Sequence, residues 1–321
     1  VLFLSGLLLF AYYIPTIDNA YFSENLVNAW TSVDYITDTL PFGAVVRRIH
    51  RYAGDAMVIT IVLHALRVWI TDRYRQYRWT QWVTGIVLLL MVLFIGQTGY
   101  YLVWDERSLV LTRMTSSALE ALPFVGPGLK AWFLNGATIT NLTLSNFLFI
   151  HIGLSFSLLF GLWLHYVRMT RPVITPPPAI NYILVAVLLV FVFLLPITSG
   201  KMADINAQPT SFEIDWFFLW PYWLLAHMDT TMYWFVMIGG SVALCLVPFP
   251  SLYKAAHPVE AAEVVLNKCT GCSFCSKDCP YQAIEMVPAP AGSRFKLLAT
   301  VKAYRCSGCG VCVGACAFDA I

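Results

Sequence analysis

Long stretches without a charged side chain constrain this sequence more than any other feature. Most of them exceed the roughly 20 residues that a helix needs to cross about 30 Å of hydrocarbon. The second stretch is uncharged only from Ala56 and extends upstream through Asp55 to Ala44. A composition that is 59% hydrophobic and only 12% charged is typical of a membrane protein. We therefore predict six membrane helices, within residues 1–17, 44–66, 82–103, 142–167, 172–200 and 230–253.

The cysteines divide the chain into two parts. Eight of the nine lie in the last 53 residues, where no apolar stretch is long enough to span a membrane. We therefore predict a transmembrane domain at residues 1–250 and a small soluble domain at residues 251–321. A net charge of +2 gives no basic field that would favour nucleic acid as a partner. Val1 begins the first apolar stretch without an initiator Met, which indicates that residues upstream are missing.

Arginines in two short loops predict the orientation in the membrane. These loops follow the second and fourth predicted helices, and Asp72 is the only acidic residue in them. Because loops rich in Lys and Arg remain in the cytoplasm, we expect both loops there. After six crossings the cysteine-rich tail reaches the same side, where thiols stay reduced. The arginines are Arg67, Arg73, Arg75, Arg78, Arg168 and Arg171.

Four of the six histidines form two pairs with the same spacing. His50 and His64 lie in one apolar stretch, and His151 and His165 lie in another with an identical separation along the chain. On a helix this spacing places both side chains of a pair on one face, about 21 Å apart along the axis. Two such helices can hold two flat macrocycles between them, because imidazole is a common axial ligand of haem iron. A single membrane histidine is more often a hydrogen-bonded packing residue, and only the repeated spacing favours haem.

Glycines and arginines near these histidines add weaker signals. Gly85 and Gly99 have the same separation as each histidine pair and would let the edges of haem rings approach their helix, although glycine is common in membrane helices. Arg47 lies three residues before His50, and Arg67 lies three residues after His64. Either arginine could pair with haem propionates, or it could simply extend its charge toward the membrane surface. The two remaining histidines, His227 and His257, lack the repeated spacing and are predicted to lie in loops.

Several motifs in the first 250 residues occur together. They are Gly43-x-x-x-Arg47-x-x-His50, His64-x-x-Arg67, Thr98-Gly99-Tyr100-Tyr101-Leu102-Val103-Trp104-Asp105, Leu122-Pro123-Phe124-Val125-Gly126 and the stretch 138–151. This part of the chain resembles cytochrome b of the quinol-oxidising bc complexes. The resemblance implies two haem b groups, one bound by His50 and His151 near the outer face. His64 and His165 would bind the other near the cytoplasm.

The same resemblance predicts a quinone site after the fifth helix. The family has Pro-Glu-Trp-Tyr there, whereas this chain has Ile214-Asp215-Trp216-Phe217. Asp215 retains a carboxylate that could accept a quinol proton, and Glu213 is a substitute candidate. A solvated loop carboxylate is the alternative interpretation of Asp215. The side chains expected to line the pocket are Tyr100, Phe124, Trp216 and Tyr222. Alternatively, these aromatic side chains simply lie at the membrane interface.

Two cysteine motifs dominate the last 53 residues. The first is C-x2-C-x2-C-x3-C-P at residues 269–280, and the second repeats the spacing at residues 306–317 with Ala317 in place of the proline. These motifs resemble the bacterial two-cluster ferredoxins, in which the fourth cysteine of each motif binds the other cluster. Zinc or disulfides are less compatible with triplets at this spacing. The resemblance assigns Cys269, Cys272, Cys275 and Cys316 to one 4Fe-4S cluster and Cys306, Cys309, Cys312 and Cys279 to the other.

Together these features predict an all-α transmembrane bundle of six helices followed by a small α+β ferredoxin-like domain. The leading hypothesis is a membrane electron-transfer subunit that connects quinone (menaquinone or ubiquinone), two haems and two clusters. The alternatives are an electron relay without its own quinone site and a transporter that an iron–sulfur domain regulates. The expected location is the inner membrane of a prokaryote. Expected partners are the lipid bilayer, a second copy of the chain, and a Rieske-type protein, a multihaem cytochrome or a cytoplasmic iron–sulfur or flavin subunit.

Overall fold

The chain is mostly helical. The computed structural model describes residues 1–18, 20–22, 25–70, 74, 79–167, 178–207, 214–249, 260–306 and 308–321. The α-helices are α1 (Leu2–Phe10), α2 (Ala29–Asp38), α3 (Gly43–Ile70), α4 (Trp79–Val103), α5 (Glu106–Glu120), α6 (Gly126–Leu134), α7 (Asn141–Tyr166), α8 (Pro178–Leu194), α9 (Trp220–His227), α10 (Thr230–Leu246), α11 (Phe274–Asp278) and α12 (Val311–Ala315). The strands are β1 (Ala20–Phe22), β2 (Asn25–Val27), β3 (Ile284–Pro288) and β4 (Leu297–Val301).

Each of the six predicted membrane stretches contains a helix. Among the described residues, α3, α4 and α7 are long and apolar enough to cross a membrane, with 25 to 28 residues each. The apolar helices α8 and α10 have 17 residues each, and α1 has nine. The prediction of an apolar helical chain is therefore confirmed, whereas the number of six crossings stays a prediction.

The segments between the long helices contain further helices, outside the six predicted membrane stretches. Asn28 begins α2 with a capping box, in which its side chain and that of Thr31 each bond to the backbone of the other. Asp105 caps α5 by accepting a hydrogen bond from the backbone amide of Ser108. Capping of this kind satisfies amide groups that a helix start otherwise leaves unpaired. His227, which we predicted to lie in a loop, is the last residue of α9.

The chain groups into two compact units. The first comprises Val1–Leu63, Val87–Phe160 and Pro177–Ala243, and the second comprises His64–Ile86, Gly161–Pro176 and Leu244–Ile321. The core of the first unit contains buried aromatic and aliphatic side chains from α2, α4, α5, α6, α7 and α9 and from the segments next to them. Its largest members, each at most 1% exposed, are Trp104, Tyr101, Phe133 and Phe147.

The second unit contains the cysteine-rich segment. There β3 and β4 form an antiparallel pair in which Ile284 lies opposite Val301, and two short helices, α11 and α12, carry cysteines. This arrangement confirms the prediction of a small C-terminal domain that contains strands. The predicted boundary between residues 250 and 251 falls outside the described residues and stays a prediction.

The loops that predict the membrane orientation are largely outside the described residues. This applies to Asp72, Arg73, Arg75, Arg78, Arg168 and Arg171, and also to His257. Arg67 is described and lies in the last turn of α3. The orientation therefore stays a prediction.

Candidate functional site

The four repeated histidines meet as two facing pairs. The ring centres of His50 and His151 are 6.3 Å apart, and those of His64 and His165 are 6.5 Å apart. Two imidazoles on opposite sides of one metal need nearly this separation, since each metal–nitrogen bond is about 2 Å long and the rings add the rest. The donor sets therefore fit bis-histidine haem, with the same pairing that the family resemblance implies. Their role as ligands is not tested by this geometry and stays a prediction.

The ring of His151 is held in a defined tautomer. Its Nδ1 lies 2.9 Å from Thr98 Oγ1 and 3.1 Å from the backbone oxygen of Ile95. A carbonyl oxygen only accepts, so Nδ1 carries the proton and Nε2 keeps the lone pair that a metal needs. A hydrogen-bond partner on Nδ1, the ring nitrogen that does not bind the metal, orients the imidazole and makes Nε2 a more basic ligand.

Two other histidines have similar partners. His50 Nδ1 lies 3.0 Å from Ser5 Oγ, and His165 Nδ1 lies 2.9 Å from Thr84 Oγ1. In both cases the contact occupies Nδ1, so Nε2 is the nitrogen that remains for a ligand bond. These hydroxyl side chains were not predicted from the sequence.

A repeated dipeptide could have revealed them. Each hydroxyl residue directly precedes a glycine, as Ser5-Gly6, Thr84-Gly85 and Thr98-Gly99, and the last two dipeptides recur at the same interval as the histidines. A Cβ atom on these glycines would lie only 3.2 to 3.5 Å from Cε1 of the neighbouring histidine ring. The glycines thus make room for the histidines, while the predicted approach of haem edges to Gly85 and Gly99 stays a prediction.

The predicted propionate partners lie at the ends of α3. Arg47 donates hydrogen bonds to Thr37 Oγ1 and Ser199 Oγ, both at 2.8 Å. Its guanidinium is therefore already fixed by neutral hydroxyl groups, which would leave its charge available to an anion. The propionate role of Arg47 and Arg67 stays a prediction.

Asp215 is held by side chains from two helices. Its Oδ2 accepts a hydrogen bond from Arg51 Nη2 at 2.6 Å and another from the Tyr100 hydroxyl. The Asp215 side chain is only 10% exposed. This environment disagrees with the interpretation of Asp215 as a solvated loop carboxylate and places Asp215 against Tyr100, while their roles at a quinone site stay predictions. Arg51 was missed, although a charged residue inside a predicted membrane helix is itself a signal of function.

Phe218 anchors the segment that carries Asp215. Its ring is 4% exposed and lies against Gly96 of α4, where a Cβ atom would overlap it. Gln97 donates a hydrogen bond to the backbone oxygen of Phe218 at 3.1 Å. Only glycine leaves space for this ring, so Gly96 fixes the depth at which the Asp215 segment meets α4.

The other predicted pocket residues lie in different surroundings. Tyr222 is buried, and its hydroxyl group contacts those of Tyr101 and Thr115 within the core of the first unit. Burial raises the pKa of Tyr222. Trp216 and Phe124 are exposed. Glu213 lies outside the described residues, and the pocket roles of all these side chains stay predictions.

The eight clustered cysteines line two separate cavities. Cys269, Cys272, Cys275 and Cys316 line one cavity, and Cys279, Cys306, Cys309 and Cys312 line the other. These are the two sets that the ferredoxin resemblance implies, each with three cysteines of one motif and the fourth of the other motif. Within the described residues, no three His, Cys, Asp or Glu side chains are close enough to hold a single metal ion. The cysteines are thus grouped as two sets of four, and their role as ligands stays a prediction.

Backbone groups surround the cysteine sulfurs. The amides of Ala320 and Ala283 donate to Cys316 Sγ and Cys279 Sγ, both at 3.3 Å. Such bonds favour a negatively charged sulfur, which is the form that binds iron. Gly271 has a φ of +70°, and a Cβ atom there would overlap the carbonyl group of Leu297. Glycine at this position therefore lets the first cysteine loop turn tightly against β4.

Two family models match this chain. Residues 3–172 match the Cytochrome b/b6/petB family, and residues 268–320 match the 4Fe-4S dicluster domain. The menaquinol:cytochrome c reductase cytochrome b subunit of Geobacillus thermodenitrificans is 32% identical over 176 residues, which are 54% of this chain and 75% of that protein. Cytochrome b6 of Synechococcus elongatus is 30% identical over 176 residues, which are 54% of this chain and 78% of that protein.

A solved structure is similar over most of the chain. A chain of a hyperthermophilic respiratory Complex III superposes with a TM-score of 0.60 and 22% sequence identity. The match covers 77% of this chain and 71% of the other. At this identity the likeness shows the fold alone.

Proposed function

Because the chain belongs to the cytochrome b/b6 family, we propose that it is the membrane electron-transfer subunit of a quinone-linked oxidoreductase complex. Its 4Fe-4S dicluster domain distinguishes it from a subunit that carries haem alone. In this proposal electrons pass among quinol, two haem b groups and two 4Fe-4S clusters.

The haem ligands in this proposal are the two facing histidine pairs. His50 and His151 hold one haem b near the outer face, and His64 and His165 hold the other near the cytoplasm. Haem iron supplies one-electron transfer, and the protein supplies axial ligands and their orientation. The separations of 6.3 and 6.5 Å between ring centres support this assignment.

The remaining parts follow the sequence prediction. Six helices cross the inner membrane of a prokaryote, and residues 251–321 lie in the cytoplasm with two clusters held by the cysteine sets described above. A Rieske-type protein, a multihaem cytochrome or a cytoplasmic iron–sulfur or flavin subunit completes the complex, which can contain two copies of this chain. Relatives that are named as subunits of quinol oxidoreductases support a multi-subunit complex.

The quinone site is proposed at Asp215. When a quinol loses an electron its hydroxyl group becomes strongly acidic, so a nearby carboxylate that accepts the proton accelerates the reaction. The observation that carries this proposal is the largely buried Asp215 carboxylate, fixed by Arg51 and Tyr100. A carboxylate accepts a proton efficiently only when it is held at the right place, and Arg51 and Tyr100 hold the Asp215 carboxylate in position.

Replacing Asp215 by asparagine tests the quinone site. We expect Asp215→Asn to slow quinol-dependent haem b reduction in the purified complex by about 100-fold or more, because asparagine keeps the shape but accepts no proton. Haem content should be unchanged. Asp204→Asn, at an exposed loop carboxylate whose side chain also bonds to the backbone, is the matched control. A variant with the normal rate and normal inhibitor sensitivity would instead favour an electron relay without a quinone site.

Removing a histidine partner tests the haem assignment. We expect Thr84→Val to weaken binding of the haem at His64 and His165 by about ten-fold and to raise its midpoint potential, because His165 loses its hydroxyl partner and becomes a weaker donor. Redox titration of the complex measures the shift. Thr60→Val is the control, since the Thr60 hydroxyl bonds only to backbone oxygens of its own helix. If this haem has the same midpoint potential in Thr84→Val as in Thr60→Val, the assignment of His165 as its ligand is wrong.

A further inference from the structure

Asp55 shares the arginine that holds Asp215. It lies one turn after Arg51 on α3, and its Oδ1 forms an ion pair with Arg51 Nη1, while Arg51 Nη2 binds Asp215 Oδ2 at 2.6 Å. The side chains of Asp55 and Asp215 are 15% and 10% exposed. One guanidinium therefore bridges two carboxylates from distant parts of the sequence. Arg51 positions Asp215 in the proposed function, whereas Asp55 has no role in it.

The charge of this cluster favours the uptake of one proton. Arg51 contributes one positive charge and the two carboxylates contribute two negative charges, so the three side chains hold one net negative charge when all are ionised. A partly buried group of this kind is stabilised when one carboxylate is protonated, because like charges no longer repel each other. An isolated Arg51–Asp215 pair would be neutral and would have no second carboxylate whose repulsion a proton could relieve.

Asp55 also stabilises the protonated state. Once Asp215 is protonated, it no longer neutralises Arg51, and a partly buried guanidinium without a counter-charge is costly. Asp55 keeps its contact with Arg51 in that state, so the cation remains paired. Among the residues that the structure describes, the other titratable groups facing the cluster are the Tyr100 hydroxyl of α4, which donates to Asp215, and Arg107 of α5, 5.6 Å from the centre of the Tyr100 ring.

We propose that Asp55 is a positioning residue for proton transfer at the quinone site. It acts through Arg51 and keeps Asp215 able to accept a proton. In the step concerned, a quinol O–H bond breaks and a carboxyl O–H bond forms on Asp215. The accompanying electron passes to a one-electron acceptor of the complex, which is haem b or an iron–sulfur protein. The inference rests on the quinone site of the proposed function and adds a second carboxylate to it.

The pH dependence of quinol oxidation tests this role. In the purified complex we expect Asp55→Asn to lower the maximal rate about ten-fold and to move the acidic half-maximum of the profile to lower pH by about one unit or more, because the remaining ion pair is a weaker base. Asp55→Ser, a second neutral variant, should behave alike. Asp55→Glu keeps the charge and should restore the profile of the unmodified complex. Asp204→Asn is again the control.

The outcomes separate this inference from the proposed function. If the unmodified complex oxidises quinol and both neutral variants keep its pH profile, Asp55 has no such role. The same conclusion follows if their rates fall equally at every pH together with the haem content, since that is the result of a structural defect. If the unmodified complex shows no inhibitor-sensitive quinol oxidation at all, the proposed quinone site is wrong. The inference about Asp55 is then wrong as well, because it depends on that site.

Discussion

Replacing His151 by alanine is expected to remove one of two haem b groups from the chain. The ring of His151 faces that of His50 at 6.3 Å, and alanine leaves only one axial ligand on that side. His64 and His165 form a separate pair and should keep the second haem. Haem extracted from the purified complex should fall from about two to about one per chain, and redox titration should show one component in place of two.

His227→Ala is the control for the histidine variant. His227 stacks on Trp223 with ring centres 4.5 Å apart, at the end of α9, and faces no other histidine within the described part of the chain. We expect this variant to keep the full haem content and both redox components. If His151→Ala also keeps two haems with unchanged spectra, the proposed pairing of histidines is wrong.

Replacing Cys279 by alanine is expected to remove the cluster of the other cysteine motif. Cys279 belongs to the first motif in sequence, but it lines the cavity that contains Cys306, Cys309 and Cys312. Iron and acid-labile sulfide should each fall from about eight to about four per chain, and one of two electron paramagnetic resonance signals should disappear. Electron exchange with a cytoplasmic partner should fall with it.

Double variants decide which cysteines share a cluster. Cys279→Ala combined with Cys312→Ala damages one cavity only, so about four irons should remain. Cys279→Ala combined with Cys275→Ala damages both cavities and should remove nearly all iron. The reverse result would mean that each motif holds its own cluster. Cys245→Ala, in α10 and outside both cavities, is the control and should keep all iron.

Much of the fold was predictable because its signals are local. An apolar stretch without charge predicts a helix in hydrocarbon whatever surrounds it, and each of the six stretches contains one. The helices α2, α5, α6 and α9 were missed because they have only 8 to 15 residues, and only long uncharged stretches were interpreted as helices. Their caps, such as Asn28 and Asp105, were visible in the sequence as ordinary N-cap residues.

The candidate sites were predictable to different degrees. Histidine spacing and cysteine motifs identify side chains that must lie together because one helix or one short loop presents them. The partners of these side chains come from other elements, as Thr98 of α4 does for His151 of α7. The quinone region is the least determined by its sequence, because that sequence departs from the family pattern. The structure places the Tyr222 hydroxyl against Thr115, and the pocket role of Tyr222 stays a prediction.

By itself the sequence determined a membrane chain of the cytochrome b/b6 family, two repeated histidine pairs and two cysteine motifs, since each depends on residue type and short-range spacing. Only the tertiary structure decided that Arg51 joins Asp55 to Asp215. It also decided that Phe218 fits against Gly96. These contacts join residues far apart in the chain, and their energies depend on distance and burial, which no local pattern specifies.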